Sequence, residues 1–220
     1  MNMIYFSPVW FFGYDIALRL IFSFISLLVA HYAYKVATLT GNEQPRLFAL
    51  SFGLISAAYV IQAIFNVLMV SQFYTVDCAV NRVQAASFYD SIGLMLHMFF
   101  MTAGLSLLTF MTCKVKKQRI FWMLLLLSSL AIFSSENPLY MFFLLSTIFL
   151  LFLAGHFFDN YRKHKNRNTL IIAIAFGFLL FRSIHFVFSV QYELFYVIGR
   201  LAELAGYLLI LWNFMAVRKR

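Results

Sequence analysis

Ionisable side chains recur at helical spacing inside the long apolar stretches of this sequence. Asp15 and Arg19 are four residues apart in the first such stretch, and Asp90 and His97 are seven residues apart in the third. Steps of three, four or seven residues place side chains on one side of an α-helix. The same spacing relates polar residues of the second, sixth and seventh stretches, namely Gln62 and Asn66; Arg182 and His185; and Tyr196, Arg200, Glu203 and Tyr207.

These polar stripes carry groups that can bind an anion or pair with one another. An arginine offers a planar fork of donors to a carboxylate or phosphate, and a histidine can change its charge near neutral pH. Charged groups within a membrane are costly and often functional. Three acids stand among three arginines here, so mutual neutralisation is the open alternative. We predict that the twelve polar residues named above face one another and line a shared ligand-binding site.

The composition requires these stripes to lie in a membrane protein. Of the 220 residues, 63% are hydrophobic and 11% are charged, and the mean hydropathy is +0.85. A soluble domain is nearer half apolar and a quarter charged. No soluble fold of this length could enclose 28 phenylalanines, so apolar surface must face lipid. We therefore expect an all-α, multi-pass integral protein of the cell membrane.

Seven stretches approach the roughly 20 apolar residues that a membrane-spanning helix needs. The fourth is the shortest; in order they cover residues 10–36, 46–71, 86–112, 119–134, 138–160, 168–190 and 192–216. Pro8, Pro45 and Pro138 stand where a first helical turn tolerates proline, and Gly41 stands where a helix ends. The sequence predicts one domain, residues 1–220, folded as a seven-transmembrane helix bundle. Segments 4 and 5 have little polar character and are expected at its periphery.

Basic residues assign an orientation, because they concentrate in cytoplasmic loops. With the N-terminus outside, every basic loop residue except Arg82 falls in a cytoplasmic segment. The prediction is therefore an N-terminus outside and a C-terminus in the cytoplasm. In this orientation most of the charged polar residues lie in the outer half of the bundle.

Two basic loops, Lys114–Arg119 and Arg162–Arg167, dominate the predicted cytoplasmic face. Such patches set the topology and contact anionic lipid headgroups. They are also candidate docking surfaces for a membrane or cytoplasmic protein partner. Nucleic acid is not expected as a partner, because the patches are short and lack interleaved aromatic residues.

The polar layer favours a receptor-like or sensory bundle. Its outer half would bind a small molecule, with an anion favoured by the arginines, and it would signal through or support a separate partner. The predicted arrangement of seven helices with the N-terminus outside is similar in topology to rhodopsins and G-protein-coupled receptors. However, residues 192–216 contain no lysine to hold retinal, and the third segment does not end in an Asp/Glu-Arg-Tyr triplet. The chain is not assigned to either family.

Three other functions remain open. One is a structural or assembly subunit of a larger membrane complex, and another is a small transporter or channel. A third is a b-type haem electron carrier, in which His97 and His185 at one depth and His31 and His156 at another would be axial ligands. An enzyme is the weakest interpretation, because the sequence has no HExxH pair or nucleophile motif. No catalytic residue or metal ligand is predicted.

Overall fold

Long apolar runs with proline only near their starts favour uninterrupted helices in this chain. The computed structural model describes residues 11–75, 79–113, 117–188 and 193–218, and nearly all of them are helical. In chain order the helices are α1 (Phe12–Thr40), α2 (Glu43–Thr75), α3 (Ala79–Thr112), α4 (Gln118–Phe133), α5 (Pro138–His164), α6 (Arg167–Phe188) and α7 (Glu193–Arg218).

Six of the helices in the described part of the chain are long and apolar enough to cross a bilayer. The exception is α4, whose 16 residues fall short of that length. The prediction of an all-α, multi-pass membrane protein is therefore confirmed. The seventh span and the orientation of the termini stay predictions. The exposed face of α4 is apolar and includes Trp122, Leu126 and Leu130, as expected for contact with lipid.

Local chemistry sets several helix ends. Gly41 has a φ of 66°, and its N–H donates to the Ala37 carbonyl at 2.9 Å, which closes α1. Lys165 ends α5 with a φ of 53°. At the start of α5, the Asn137 side chain accepts the Tyr140 N–H at 3.2 Å. Pro8, the first predicted helix marker, lies outside the described residues.

Several helices extend beyond the stretches predicted from hydropathy. α1 continues to Thr40 rather than residue 36, α2 begins at Glu43 rather than residue 46, and α3 begins at Ala79 rather than residue 86. Hydropathy marks the part of a helix that lies in hydrocarbon. Backbone hydrogen bonding continues through polar turns beyond that part, so the helices are longer than their apolar cores.

Six helices form a closed ring in which α1, α2, α3, α5, α6 and α7 pack in that order and α7 returns to α1. α4 packs against the seam of α3 and α5. The expectation of a peripheral position is confirmed for α4; α5 belongs to the ring, where it buries Phe142, Phe149 and Leu153, although it is the least buried of the six long apolar helices. A helix can enter the core through apolar side chains alone, so a lack of polar residues did not indicate its position.

Helices α1 and α7 run in the same direction. Asp15 of α1 contacts Arg200 of α7, and Phe22 further along α1 contacts Tyr207 further along α7. We call the end at which α1 and α7 begin the N-terminal end of the bundle, and the opposite end its C-terminal end. The N-terminal end is the one predicted to face outward.

Gly206 allows α7 to approach α6 closely. A Cβ atom built on Gly206 would lie 3.0 Å from the Ala175 carbonyl oxygen and 3.0 Å from Leu179 Cδ2. We predict that Gly206→Val lowers stability by about 1–3 kcal/mol, because the α6 backbone cannot yield as a side chain can. The measurement is the melting temperature in detergent. Gly177→Val is the control, since nothing lies within 4 Å of that position, and equal losses in both variants would contradict the prediction.

Candidate functional site: a buried ion network

The first ion pair of the site lies on α1. Arg19 folds back by one turn, with its Nη2 at 2.6 Å and its Nε at 2.7 Å from Oδ2 of Asp15. Both residues are buried: Asp15 is 1% exposed and Arg19 is 8% exposed. An isolated carboxylate in an apolar interior is very costly, so it needs such partners. The arginine satisfies one of the two carboxylate oxygens.

Helix α7 provides the partners of the other oxygen. Tyr196 donates its hydroxyl to Asp15 Oδ1 at 2.8 Å, and Arg200 Nε lies 2.8 Å from the same atom. Arg200 also donates from Nη1 to Glu203 Oε2 at 2.8 Å and from Nη2 to the Tyr196 hydroxyl oxygen at 2.8 Å. Arg200 therefore bridges the acid of α1 and the acid of α7.

Glu203 is the second acidic centre, and it is completely buried. Tyr59 of α2 donates its hydroxyl to Oε1, and Arg182 of α6 places its Nε 3.1 Å from the same oxygen. The hydroxyls of Tyr59 and Tyr207 are 3.2 Å apart. Four helices thus meet in what we call the ion network: Asp15, Arg19, Tyr59, Arg182, Tyr196, Arg200, Glu203 and Tyr207.

Aromatic rings enclose two of the arginines. The guanidinium carbons of Arg182 and Arg200 lie 4.8 Å and 5.3 Å from the centroid of the Phe186 ring. Phe22 lies 6.0 Å from the Arg200 guanidinium carbon on another side. Ring faces attract cations. Because the rings also displace water, they lower the local dielectric and strengthen the ion pairs.

Three predicted site residues do not join the ion network. Gln62 and Asn66 of α2 are buried, at 7% and 4% exposed, yet neither amide forms a hydrogen bond within the described residues. Asp90 of α3 is partly buried and lies within electrostatic reach of Arg19. It forms no ion pair with any residue that the structure describes. Among the described residues, these three polar groups therefore have no hydrogen-bond or ion-pair partner.

The two predicted site histidines have different surroundings. His97 of α3 is 5% exposed, its Nδ1 is 3.1 Å from the Ala58 carbonyl oxygen, and its ring packs 5.4 Å from that of Tyr59. It supports the tyrosine that binds Glu203. His185 is partly buried, and its Nδ1 contacts the Phe181 carbonyl oxygen of its own helix at 2.9 Å. It lies outside the ion network.

The ion network carries one more positive charge than negative, because Arg19, Arg182 and Arg200 surround only Asp15 and Glu203. Every carboxylate oxygen of the two acids contacts at least one donor. In contrast, Nη1 of Arg19 and Nε of Arg182 are buried without a hydrogen-bond partner, although Arg182 Nε is within ion-pair distance of Glu203 and Arg19 Nη1 has no such contact. The acids are thus saturated, whereas the arginines are not.

A small cavity adjoins the ion network on its C-terminal side. It has a volume of about 10 Å³ and is lined by Arg182 and Tyr207 together with apolar side chains such as Phe52 and Leu108. This volume is about that needed to hold a single water molecule. A larger ligand does not fit there.

The four histidines of the predicted haem pairs lie on four different helices. His97 is on α3 and His185 on α6, whereas His31 is on α1 and His156 on α5. Neither pair of helices consists of neighbours in the ring. His31 is exposed and lines a groove on the surface of the bundle, so its pairing with His156 across the interior is not supported, whereas the pair of His97 and His185 stays a prediction. Among the described residues, no group of three or more His, Cys, Asp or Glu side chains could hold a metal ion.

Tyr59 is the one member of the ion network that is missing from the predicted site. The sequence did contain a signal for it, because Tyr59 lies three residues before Gln62 and seven before Asn66 on the same helical stripe. Ser56 belongs to this stripe too, and its hydroxyl lies 3.0 Å from that of Ser23 on α1. The stripe as a whole faces the interior of the ring.

No family model matches this chain, and neither a curated protein nor a solved structure is significantly similar to it. Its function has to follow from the chemistry of the buried groups themselves.

Proposed function

We propose that this chain is a receptor-like membrane protein that binds a small anion at Arg19, on the N-terminal side of the ion network. The observation that carries this proposal is the buried Nη1 of Arg19, which has no hydrogen-bond partner. A buried donor left unpaired costs about 1–3 kcal/mol, and more when it is charged. An anion would accept this hydrogen bond and also cancel the excess positive charge of the network.

Two buried amides of α2 lie, like Arg19, on the N-terminal side of the contact between α1 and α2. Ser23 of α1 meets Ser56 of α2, and the two helices run in opposite directions. At 1.5 Å per residue from this contact, Arg19 lies about 6 Å, Gln62 about 9 Å and Asn66 about 15 Å toward the N-terminal end. Gln62 is buried without a hydrogen bond inside the described part of the chain and lies about 3 Å from the level of Arg19, so its N–H groups are available to the same anion. Asn66, about 9 Å from that level, is too far away to share a small anion with Arg19.

The geometry favours an anion with a single charge and few atoms. The network has one excess positive charge, so one negative charge balances it. Asp15 already occupies Nε and Nη2 of Arg19, which leaves Nη1 for one acceptor oxygen. A small carboxylate meets both conditions, since one oxygen can accept from Arg19 and the other from an amide. The carboxylate of Asp90 competes with such an anion for the positive charge of Arg19.

Binding would be transmitted to the far end of the bundle through the ion pairs. An anion at Arg19 weakens the hold of this arginine on Asp15, which also binds Arg200 of α7. Arg200 shares Glu203 with Arg182 of α6. Helix α6 begins within Arg162–Arg167, a segment that is fully exposed at the C-terminal end. We propose that a partner with an acidic surface binds this segment and responds to a shift of α6.

Arg19→Gln should abolish stabilisation by anions. Formate, acetate and phosphate are each titrated into the purified protein in detergent, with chloride at matched ionic strength, while the melting temperature is recorded. At 100 times its Kd, a bound anion stabilises the wild-type protein by about 2.7 kcal/mol. Arg19→Gln removes the charge and the unpaired Nη1 together, so its melting temperature should stay constant.

Arg162→Gln is the matched control, since it removes an exposed arginine of α5 and should leave the anion response of the wild-type protein unchanged. The proposal is contradicted if no anion of the panel stabilises the wild-type protein. It is equally contradicted if Arg19→Gln responds to the anions as the wild-type protein does.

A second candidate function is a structural or assembly subunit of a larger membrane complex. It is favoured by the saturated carboxylates and by a neighbouring cavity that has room for only about one water molecule. In such a subunit the ion network would only join helices, with no ligand. A flat anion titration of a well-folded wild-type protein would favour this function.

A small transporter or channel has less support. Between the ion network and the C-terminal end, the interior of the ring is filled by apolar side chains. Phe52, Leu108, Phe176 and Ile210 are each at most 1% exposed. A path for a polar solute along the described residues would have to displace these side chains.

A further inference from the structure

A groove with a volume of about 1160 Å³ lies on the surface of α1, α2 and α3, near the C-terminal end of the bundle. Leu27, His31 and Tyr34 of α1 line it, and Leu50 of α2 and Phe110 of α3 contribute further apolar surface. The three α1 residues and Leu50 are exposed. Because these helices cross the bilayer, most of the groove borders hydrocarbon.

One end of the groove is polar and has several cations in or next to it. Arg46 lines it, next to where α1 ends and α2 begins. Lys35 directly follows a lining residue in the chain, and Lys117 and Arg119 flank another, Gln118. Glu43 is the one carboxylate among the described lining residues. Arg46 and Glu43 balance each other among the lining residues, and Lys35, Lys117 and Arg119, next to lining residues in the chain, add positive charge beside the rim.

We propose that this groove binds one anionic phospholipid of the adjoining leaflet. An acyl chain would lie along Leu27, Leu50 and Phe110, and the phosphate would meet Arg46. An apolar groove that ends in a cluster of cations matches a molecule with a hydrocarbon tail and a negative head. The proposal is independent of anion binding at Arg19, because Arg19 lies toward the N-terminal end of the bundle and the groove lies near the C-terminal end.

His31 gives a further reason to place a lipid here. The residue is exposed, and its ring contacts that of Tyr32, with the two ring centroids 5.8 Å apart. An imidazole that faces bare hydrocarbon loses its hydrogen bonds to water without replacement. His31 lies three residues, about 4.5 Å, deeper than Tyr34. At that depth the ester carbonyls of a bound lipid would accept its N–H.

Gly53 makes the groove testable. It lines the floor on α2, and no atom lies within 4 Å of a Cβ built there. A larger side chain at this position would therefore fill the groove rather than disturb helix packing. Gly177 of α6 is equally open and is not among the lining residues, so it provides the matched control.

The test is native mass spectrometry of the full chain, released from detergent that holds equimolar phosphatidylglycerol and phosphatidylcholine. The wild-type protein should retain one phosphatidylglycerol in clear preference. Arg46→Gln should reduce this preference about fivefold, the effect of one cation near the headgroup. Gly53→Leu should lose the retained lipid, whereas Gly177→Leu should keep it.

Equal retention of the two lipids by the wild-type protein would overturn the proposal, as would an unchanged preference in both Gly53→Leu and Arg46→Gln. A dimer that Gly53→Leu dissociates would also overturn it, because the groove would then be an interface between two copies. If Gly53→Leu fails to fold, the result for Arg46→Gln decides, since this exposed side chain is not part of the core.

Discussion

Replacement of Glu203 by glutamine should remove about 3–5 kcal/mol of stability, a large part of the 5–15 kcal/mol that holds a typical protein folded. The substitution keeps the size of the side chain and an oxygen that can accept from Tyr59. It removes the charge that balances Arg182 and Arg200, and Glu203 is too buried for water to replace it. The melting temperature in detergent and the fraction of monodisperse protein measure the loss.

A sharper test is whether a second substitution restores part of the stability that Glu203→Gln removes. Arg182 Nε lies 3.1 Å from Glu203, so Glu203→Gln leaves this guanidinium without its carboxylate. Adding Arg182→Gln removes the uncompensated charge, and the double variant should be more stable than Glu203→Gln alone. Glu136→Gln, at an exposed loop position, controls for the chemical change. Additive losses in the double variant would show that the two side chains are not coupled.

These expectations give the ion network a physical role that is separate from ligand binding. Between them, Asp15 and Glu203 contact side chains of α1, α2, α6 and α7, and hydrocarbon offers a loosened helix no alternative hydrogen-bond partners. The network therefore fixes which helices are neighbours. The Nη1 of Arg19 does not take part in this structural role, so it remains available to bind a ligand.

Contacts within one helix could be predicted from the sequence. The spacing of Asp15 and Arg19 predicts a pair one turn apart, and that of Arg200 and Glu203 does the same, because helix geometry alone determines both distances. Composition and segment length likewise predicted a helical membrane protein. In each case the prediction depended only on the properties of a single helix.

Contacts between helices could not be predicted in this way. The meeting of Tyr59 with Glu203 depends on α2 and α7 packing on either side of α1, and hydropathy contains no information about that arrangement. The position of His185 relative to the ion network could not be predicted either. This residue is three residues from Arg182, an offset of about 60° around the helix, and this offset leaves it against Phe181 and Phe195 rather than in the ion network.

Asp15→Ala is expected to be destabilised by a similar amount, about 3–5 kcal/mol, and to be restored by a small carboxylate. The substitution leaves a space the size of a carboxylate between Arg19, Arg200 and the Tyr196 hydroxyl, all of which contact Asp15. Formate or acetate can occupy this space and accept the same hydrogen bonds. Stability should therefore rise with the concentration of the anion by the amount that its binding supplies.

The size and charge of the added anion make this test specific. Formate and acetate should raise the melting temperature of Asp15→Ala, whereas butyrate, which is too long for the space, and chloride at equal ionic strength should not. Asp159→Ala, which removes an exposed aspartate of α5, should respond to none of them. If all four anions stabilise Asp15→Ala equally, they act by screening charge, and the paired guanidinium groups do not recognise a carboxylate. Selective rescue would instead mean that the arginines of α1 and α7 hold their positions without Asp15, as a preformed anion site requires.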